Sequence, residues 1–444
     1  MTVAPADLVT RFTPAEHRTL AQTKAGTPLG KALRHYWIPA LLSEEIAEAP
    51  APPVRVRLLG EDLVAFRGAD GRVGLLAEHC VHRGASLWTG RVDATGIQCV
   101  YHGWTFDIDG NCVQNPTCPA LRYDERVRQP SYPTAEVGGL IFAYLGEGDP
   151  PPLPDLGWLQ VPDSARFVSK RYHPCHWLQA LEADIDSAHV AYLHREDLVA
   201  AGTVHTQTML DHTDPEFEID TCPAGLTIAA IRRLPTGADY VRINHWLAPY
   251  YTVVPADNPE GLLGIHAWVP IDDESCWIYG LTWTVDGELT EEQRTRFRRG
   301  TAGIYAELVP GQYVARRNHT NDYEIDRQAQ LLGIRWSGVA GNQEQDDIIT
   351  ASMGPAYDRS RERLVPTDAA VIATRRTLLA MAHDAETGVA PGAAGWPGLA
   401  GRGYDLPSVF IDVDHGADWR PVAAEAMQAK QVRAESTVPA GNES

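Results

Sequence analysis

Two short segments, Cys80-x-His82 and Cys99-x-x-His102, constrain this chain more than any other feature. Each places one thiol beside one imidazole, and both lie within the stretch "CVHRGASLWTGRVDATGIQCVYHGW". Sulfur and nitrogen in equal numbers suit two kinds of metal. One is a single tetrahedral zinc; the other is a dinuclear iron–sulfur cluster in which two histidines replace two cysteines on one iron. Zinc modules usually pair cysteine with cysteine on one loop and histidine with histidine on the other. Here each loop is mixed and offers one ligand to each of two irons, which favours the cluster; zinc and coincidence are the alternatives that spacing leaves open.

The rest of the chain must accommodate that site. Its 444 residues, 44% of them hydrophobic, are enough for two or three domains with real cores. The net charge of -20, with basic runs no longer than pairs such as Arg232-Arg233 and Arg375-Arg376, argues against a nucleic-acid partner. The N-terminus "MTVAPADLVTRFTPAEHR" lacks the apolar region of a signal peptide. No run of about 18 apolar residues suggests a membrane span. A cytoplasmic location with no membrane partner is therefore expected. Seven cysteines do not suggest a disulfide framework in so long a chain, and Cys112, Cys118, Cys175, Cys222 and Cys276 are expected to be ordinary reduced residues.

Patterning divides the chain into four parts. Residues 1–35 hold a helix start at Thr13-Pro14-Ala15-Glu16 and form a helical segment expected to pack on the larger domain at 151–390. Residues 36–150 carry short apolar runs, at 54–59, 62–67, 73–76 and 139–146, separated by Gly, Asp and Asn turns, which reads as a small all-β domain. The proline-rich "GEGDPPPLPDLG" closes it. Residues 151–390 read as a larger mixed domain with a helix at 173–195, a hairpin at 226–254 turning at Pro235 to Asp239, and a strand pair at "GIHAWVPI" and "CWIYGLTWTV". Further helices are expected at 290–308 and 366–385. Residues 391–444, rich in Gly, Ala and Pro, read as a C-terminal extension with little structure of its own. The fold class is α+β.

The same residues carry a resemblance. "CVHRGASL" and "CVYHGWTFDIDGNC" resemble the C-x-H-R-G-A-x-L and C-x-Y-H-G-W-x-F-D-x-x-G-x-C signature of the Rieske non-haem iron oxygenases. The resemblance implies a Rieske 2Fe-2S cluster with Cys80 and Cys99 on one iron and His82 and His102 on the outer iron. His79, Arg83, Tyr101 and Trp104 are then supporting groups around a complete ligand set.

A Rieske cluster moves single electrons, so an oxygenase needs a second centre, for which two histidines and a carboxylate on ferrous iron are the usual solution. The 173–195 helix places Leu178, Leu181, Ile185 and Tyr192 on an apolar stripe, bordered by the polar row Gln179, Glu182, Asp186 and His189. His189 and His194 are five apart, about 140° around an ideal helix, and meet only if the helix bulges or ends between them. Spacing alone leaves two structural histidines as the plainer reading. However, "LEADIDSAHVAYLHR" resembles the E-x-x-x-D-x-x-H-x-x-x-x-H motif of the same family, which implies His189 and His194 as iron ligands and Asp186 as the group joining the two centres.

For the carboxylate, "GNQEQDDIITASMGPAYDRSRERL" offers Glu344, Asp346 and Asp347. It resembles the Q-D-x-x-x-x-E-x-x-G-x-I-x-D-R-x-x-E-x-L stretch of the phthalate-dioxygenase branch, which implies Asp346, with Asp347 in reserve. Ala351 and Ala356 depart from that pattern, away from any ligand. "NDYEIDRQAQ" and "RERLVPTDAAVIATRRTLL" extend the likeness to about residue 385.

The resemblance implies a helix-grip catalytic domain, a mononuclear Fe(II), O2 as co-substrate, and a terminal oxygenase fed by a separate NAD(P)H-dependent reductase, with or without its own ferredoxin domain. It also implies a homotrimeric ring, or a multiple of it, in which one subunit's cluster serves the next subunit's iron. The substrate is expected to be aromatic and to undergo dihydroxylation, monohydroxylation or O-demethylation. Arg232 and Arg242, on the two strands of the hairpin, could bind a substrate carboxylate if they face the pocket; structural ion pairs are the alternative. Two rival functions are a Rieske electron carrier without oxygenase chemistry and a zinc-stabilised binding protein.

Overall fold

The computed structural model describes residues 12–119, 126–255, 260–302, 304–389 and 396–436. The opening residues 1–11, part of the stretch read for a signal peptide, lie outside them. Helix α1 (Pro14–Leu20) begins at the expected place, with Thr13 and Glu16 each accepting the other's backbone N–H. Helix α2 (Pro28–Leu33) follows, capped by the Thr27 hydroxyl.

Ten short strands then occupy the segment read as all-β: β1 (Ile38–Leu42), β2 (Val54–Leu58), β3 (Glu61–Arg67), β4 (Val73–Ala77), β5 (Arg91–Asp93), β6 (Gly96–Gln98), β7 (Thr105–Phe106), β8 (Cys112–Gln114), β9 (Thr134–Val137) and β10 (Leu140–Ala143). They form three antiparallel sheets, ordered β1-β10-β9, β2-β3-β4 and β5-β6-β7-β8. A small core of Val64, Phe66, Leu76, Leu87, Ile97, Trp104 and Phe106 lies between these strands, and both Cys80 and Cys99 are sunk into it.

The larger part is one antiparallel sheet wrapped on a helix. Its strands are β11 (Arg166–His173), β12 (Glu216–Cys222), β13 (Gly225–Arg233), β14 (Asp239–Leu247), β15 (Tyr251–Val253), β16 (Leu263–Pro270), β17 (Cys276–Trp283) and β18 (Val409–Val413). They pair in the order β11-β17-β16-β15-β14-β13-β12, with β18 added along β14. Helix α3 (Trp177–Ile185) buries Trp177, Leu178, Leu181 and Ile185 against β14, β15 and β16, the helix-grip arrangement that the resemblance implies. Short helices α4 (Val190–Leu193), α5 (Arg195–Ala201) and α6 (Val204–Asp211) follow it, and later come α7 (Glu291–Arg298), α8 (Arg327–Leu331), α9 (Asn342–Ser352), α10 (Ala369–Thr387) and α11 (Arg420–Ser436). Helix α10 packs on α3, β12, α1 and α2. The largest core cluster runs without interruption from Leu20 and Phe142 to Trp177, Tyr279 and Tyr404.

Three expectations need correction. The helix expected at 173–195 begins only at Trp177, because residues through His173 belong to β11, and it ends at Ile185. The helix expected at 290–308 stops at Arg298: Gly300 has φ +62, and a Cβ there would lie 2.3 Å from the Glu307 backbone nitrogen. The C-terminal stretch does carry regular structure. Strand β18 buries Val409, Ile411 and Val413 against Val241 and Ile243, and α11 covers them. Among the described residues no helix is long and apolar enough to cross a membrane.

Candidate functional site

The first site is built by two loops with the same backbone wiring. The Cys80 N–H donates to the Ala85 carbonyl at 2.8 Å, and the Gly84 N–H to the Cys80 carbonyl at 2.7 Å. In the second loop Cys99 donates to Trp104 at 2.8 Å and Gly103 to Cys99 at 2.9 Å. Each turn requires a left-handed residue four places after its cysteine, supplied by Gly84 at φ +74 and Gly103 at φ +72. The result is that the thiols point inward and the imidazoles outward. Cys80 and Cys99 are buried, unpaired by any disulfide, whereas His82 and His102 reach the surface with ring centroids 4.6 Å apart.

The supporting groups act on the histidines. Trp104 stacks on His82 at 4.5 Å, and Tyr101 lies 3.8 Å from the His102 ring with Arg83 over its face. Burial pushes the Cys80 thiol up to about 11, against the pull of the His82 and Arg83 backbone amides. A cluster binds the thiolates, so it would supply the positive charge that this apolar setting withholds. Two buried thiols and two outward imidazoles are a donor set that fits a Rieske cluster.

The second site sits where helical structure is interrupted. Asp186 ends α3 in an extended conformation, His189 begins α4, and His194 separates α4 from α5. The helix therefore ends between the two histidines, one of the two ways they can meet. Their Nε2 atoms are 3.3 Å apart. Helix α9 brings Asp346 opposite, its Oδ1 lying 3.5 Å from His189 Nε2 and 3.2 Å from His194 Nε2. Among the described residues this is the one group of three such side chains whose ligand atoms all lie within 4.8 Å of one another.

These distances allow a test of fit. Three ligands on one face of an octahedron, each roughly 2.1 Å from a metal, are about 3 Å apart. The observed triangle is close to that spacing, and Asp346 Oδ1 is buried without a hydrogen bond among the described residues. The residues fit a mononuclear Fe(II). Electrostatics agree: burial disfavours a charged His189, yet Asp186 and Asp346 hold it up to about 10. Burial likewise opposes the Asp346 carboxylate, and the two histidines outweigh it and hold Asp346 well below its ordinary range. A pocket that attracts a proton so strongly also attracts a cation.

The remaining expected residues are placed as follows. Asp186 Oδ2 lies 3.5 Å from His189 Nδ1, which has no other partner among the described residues, and Oδ1 accepts the Ala188 N–H at 2.7 Å. Asp347 turns away from the histidines and pairs with buried Arg171 at 3.0 Å. Arg232 and Arg242 share a face of the hairpin, since Ala230 pairs with Arg242. Both reach Ser187 in the break: Arg232 Nη2 donates to its carbonyl at 2.9 Å and Arg242 Nη1 to its hydroxyl at 2.8 Å. Among the described residues neither arginine makes a direct ion pair, although the charge of Asp186 acts on both, and Arg232 Nη1 is buried with no acceptor. Burial and the neighbouring charge of Arg242 push Arg232 down to about 10. Sequence reasoning missed Ser187 and Gln345, whose Oε1 lies 2.7 Å from His194 Nδ1; adjacency to His189 and Asp346 was the only signal available.

Comparison with known proteins places this geometry. Residues 36–133 match the Rieske [2Fe-2S] domain, and residues 143–439 match the family described as LigXa C-terminal domain like. The chain is 36% identical to the 3-chlorobenzoate-3,4-dioxygenase oxygenase subunit of Comamonas testosteroni, over 85% of this chain and 90% of that protein. It is 34% identical to the phthalate 4,5-dioxygenase oxygenase subunit of Pseudomonas putida, over 94% of this chain and 96% of that one. Among solved structures, NdmB of Pseudomonas putida CBB5 shares the fold at TM-score 0.57 and 19% identity, covering 86% of this chain and 97% of that one. The chain belongs to the Rieske non-haem iron oxygenases, in the phthalate-dioxygenase-like branch. It is the terminal oxygenase component of a multicomponent system, and its cofactors are a Rieske 2Fe-2S cluster and a mononuclear non-haem iron.

Proposed function

We propose that this oxygenase acts on a carboxylated aromatic ring, with Cys80, His82, Cys99 and His102 holding its cluster and His189, His194 and Asp346 its mononuclear iron. When bound, the iron supplies O2 activation and the cluster supplies electrons one at a time. The chain's own residues do the rest. Asp346 offers a carboxylate oxygen beside two imidazole nitrogens, and Asp186 orients His189 through its far ring nitrogen. Arg232 and Arg242 set two positive charges against the break that carries Asp186 and His189.

The observation that carries the substrate reading is this pair of guanidiniums, which among the described residues share the nearby Asp186 without a direct ion pair and leave the buried Arg232 Nη1 with no acceptor. Buried charges are costly unless a counter-charge is supplied, and an aromatic carboxylate supplies one. The names of the two relatives above, a chlorobenzoate and a phthalate dioxygenase, point to the same substrate class. The test is Arg242→Gln, because Arg232 also holds two backbone carbonyls. Losing one charge-assisted hydrogen bond should raise KM for benzoates by about 10- to 100-fold. Turnover of an uncharged aromatic should be unchanged, and an unchanged KM for every benzoate tried would contradict the reading.

Electrons are proposed to come from a separate NAD(P)H-dependent reductase, and the functional unit is proposed to be a ring of three or a multiple of it. In that ring Asp186 links the iron site to the outer-iron histidine of a neighbouring subunit. A sedimenting mass of one chain in the active enzyme contradicts the ring.

A further inference from the structure

We infer that Gln345 is a positioning residue that locks His194 in the tautomer and orientation a metal ligand needs. This rests on the reading of His194 as an iron ligand. Gln345 is 3% exposed, and its Nε2 lies 3.0 Å from the Val339 carbonyl oxygen. A carbonyl can only accept, so the amide nitrogen must face Val339 and the amide oxygen must face the other way. That oxygen lies 2.7 Å from His194 Nδ1. An amide oxygen can also only accept, so Nδ1 must carry the proton. A neutral imidazole protonated at Nδ1 leaves Nε2 with a free lone pair, and Nε2 is the atom 3.2 Å from Asp346 and 3.3 Å from His189 Nε2.

One backbone carbonyl thus dictates a side-chain amide, and the amide dictates a ring tautomer. His194 is 7% exposed, so no bulk water competes for Nδ1. The two histidines are held differently. His189 faces the carboxylate of Asp186, at 3.5 Å and partly open to solvent, whereas His194 faces a neutral, buried amide at 2.7 Å. The neutral partner orients the ring without burying another negative charge beside Asp346. Gln345 and Asp346 are consecutive on α9, so one helix supplies both a ligand and the group that aims a second ligand.

The test uses the full chain with its cluster in place and the mononuclear metal removed, titrated with Fe(II) without oxygen. Gln345→Leu deletes the acceptor, whereas Gln345→Glu keeps an acceptor for Nδ1 and, when protonated, a donor for Val339. Gln345→Leu should weaken Fe(II) binding by about 10- to 100-fold, the usual cost of losing such a partner, while Gln345→Glu stays within about threefold of wild type. The ring nitrogen shifts of His194, read by NMR in the metal-free protein, should report the Nδ1–H tautomer in wild type and a mixture in Gln345→Leu. Unfolding midpoint and cluster spectrum confirm that each variant is folded. Wild-type Fe(II) affinity in Gln345→Leu, or equal losses in both variants, overturns the inference and leaves a structural tie to Val339. His194→Ala separates the two levels. If it binds Fe(II) normally, the ligand reading itself is wrong; if it fails while Gln345→Leu binds normally, only the role of Gln345 is wrong.

Discussion

Asp186 and Asp346 approach His189 from opposite sides of its ring, one at Nδ1 and the other at Nε2. Only the second can share a metal with His194, so the two carboxylates have separable roles. Asp186 also closes the break, because its Oδ1 accepts the Ala188 N–H. Asparagine retains that oxygen and removes the charge. Asp186→Asn should therefore keep both metals and a reducible cluster, yet nearly abolish oxidation of the reduced cluster by O2 with substrate bound. Stopped-flow absorbance checks this, and a near wild-type rate in metal-replete protein would reject the link. At this scale the sequence was legible where residue types are scarce. Cys80, His82, Cys99 and His102 are found by spacing, but choosing among Glu344, Asp346 and Asp347 needed the family pattern. The physical sorting becomes visible only in the folded helix, where successive residues point about 100° apart and Asp347 is spent on Arg171.

The polar row along α3 shows how an element is pinned beside a metal site. Gln179 donates to the carbonyls of Thr350 and Gly354, and Glu182 lies between Arg359 and Arg375, both at 2.6 Å. Burial opposes the Glu182 carboxylate, but the two arginines hold it down, from an ordinary 4.5 to about 2. A carboxyl lowered on folding contributes stability that is complete above its ordinary value and is lost as pH falls toward its folded one. Glu182→Gln should cost about 1–3 kcal/mol at neutral pH, since it removes one of the two carboxylates on Arg359 and Arg375 and leaves them Glu362. The gap from wild type should narrow between pH 4.5 and about 2, as denaturant unfolding across that range can show. A gap independent of pH would mean that the ion pair contributes nothing of its own. Sequence periodicity found this row but not where the helix ends. Tyr192, expected on the apolar stripe, is 50% exposed because the break at Asp186 rotates everything after it. Asp186, Ser187 and Ala188 carry no Gly or Pro, so the usual stop signals are missing; the ends are set by tertiary bonds from Arg232 and Arg242 to Ser187.

Across the whole molecule, the main core runs from strands of the all-β part to α3 beside the iron site, whereas the cluster loops close over a separate small core of their own. The class of architecture was legible from short strands, turn clusters and the proline-rich stretch after Gly146. The C-terminal strand β18 was not. Its five residues lie in a Gly- and Pro-rich background, and what makes them a strand is the free edge of β14, a partner more than 150 residues earlier. The central claim is that a single chain holds three irons in two sites, with Asp346 the carboxylate of the second. Iron and cluster content per chain, measured for wild type, Asp346→Ala and Asp347→Ala, tests it most directly. The expected result is about three irons in wild type and Asp347→Ala, and about two in Asp346→Ala with an unaltered Rieske spectrum. Full iron in Asp346→Ala, or loss of the mononuclear iron in Asp347→Ala alone, would contradict it.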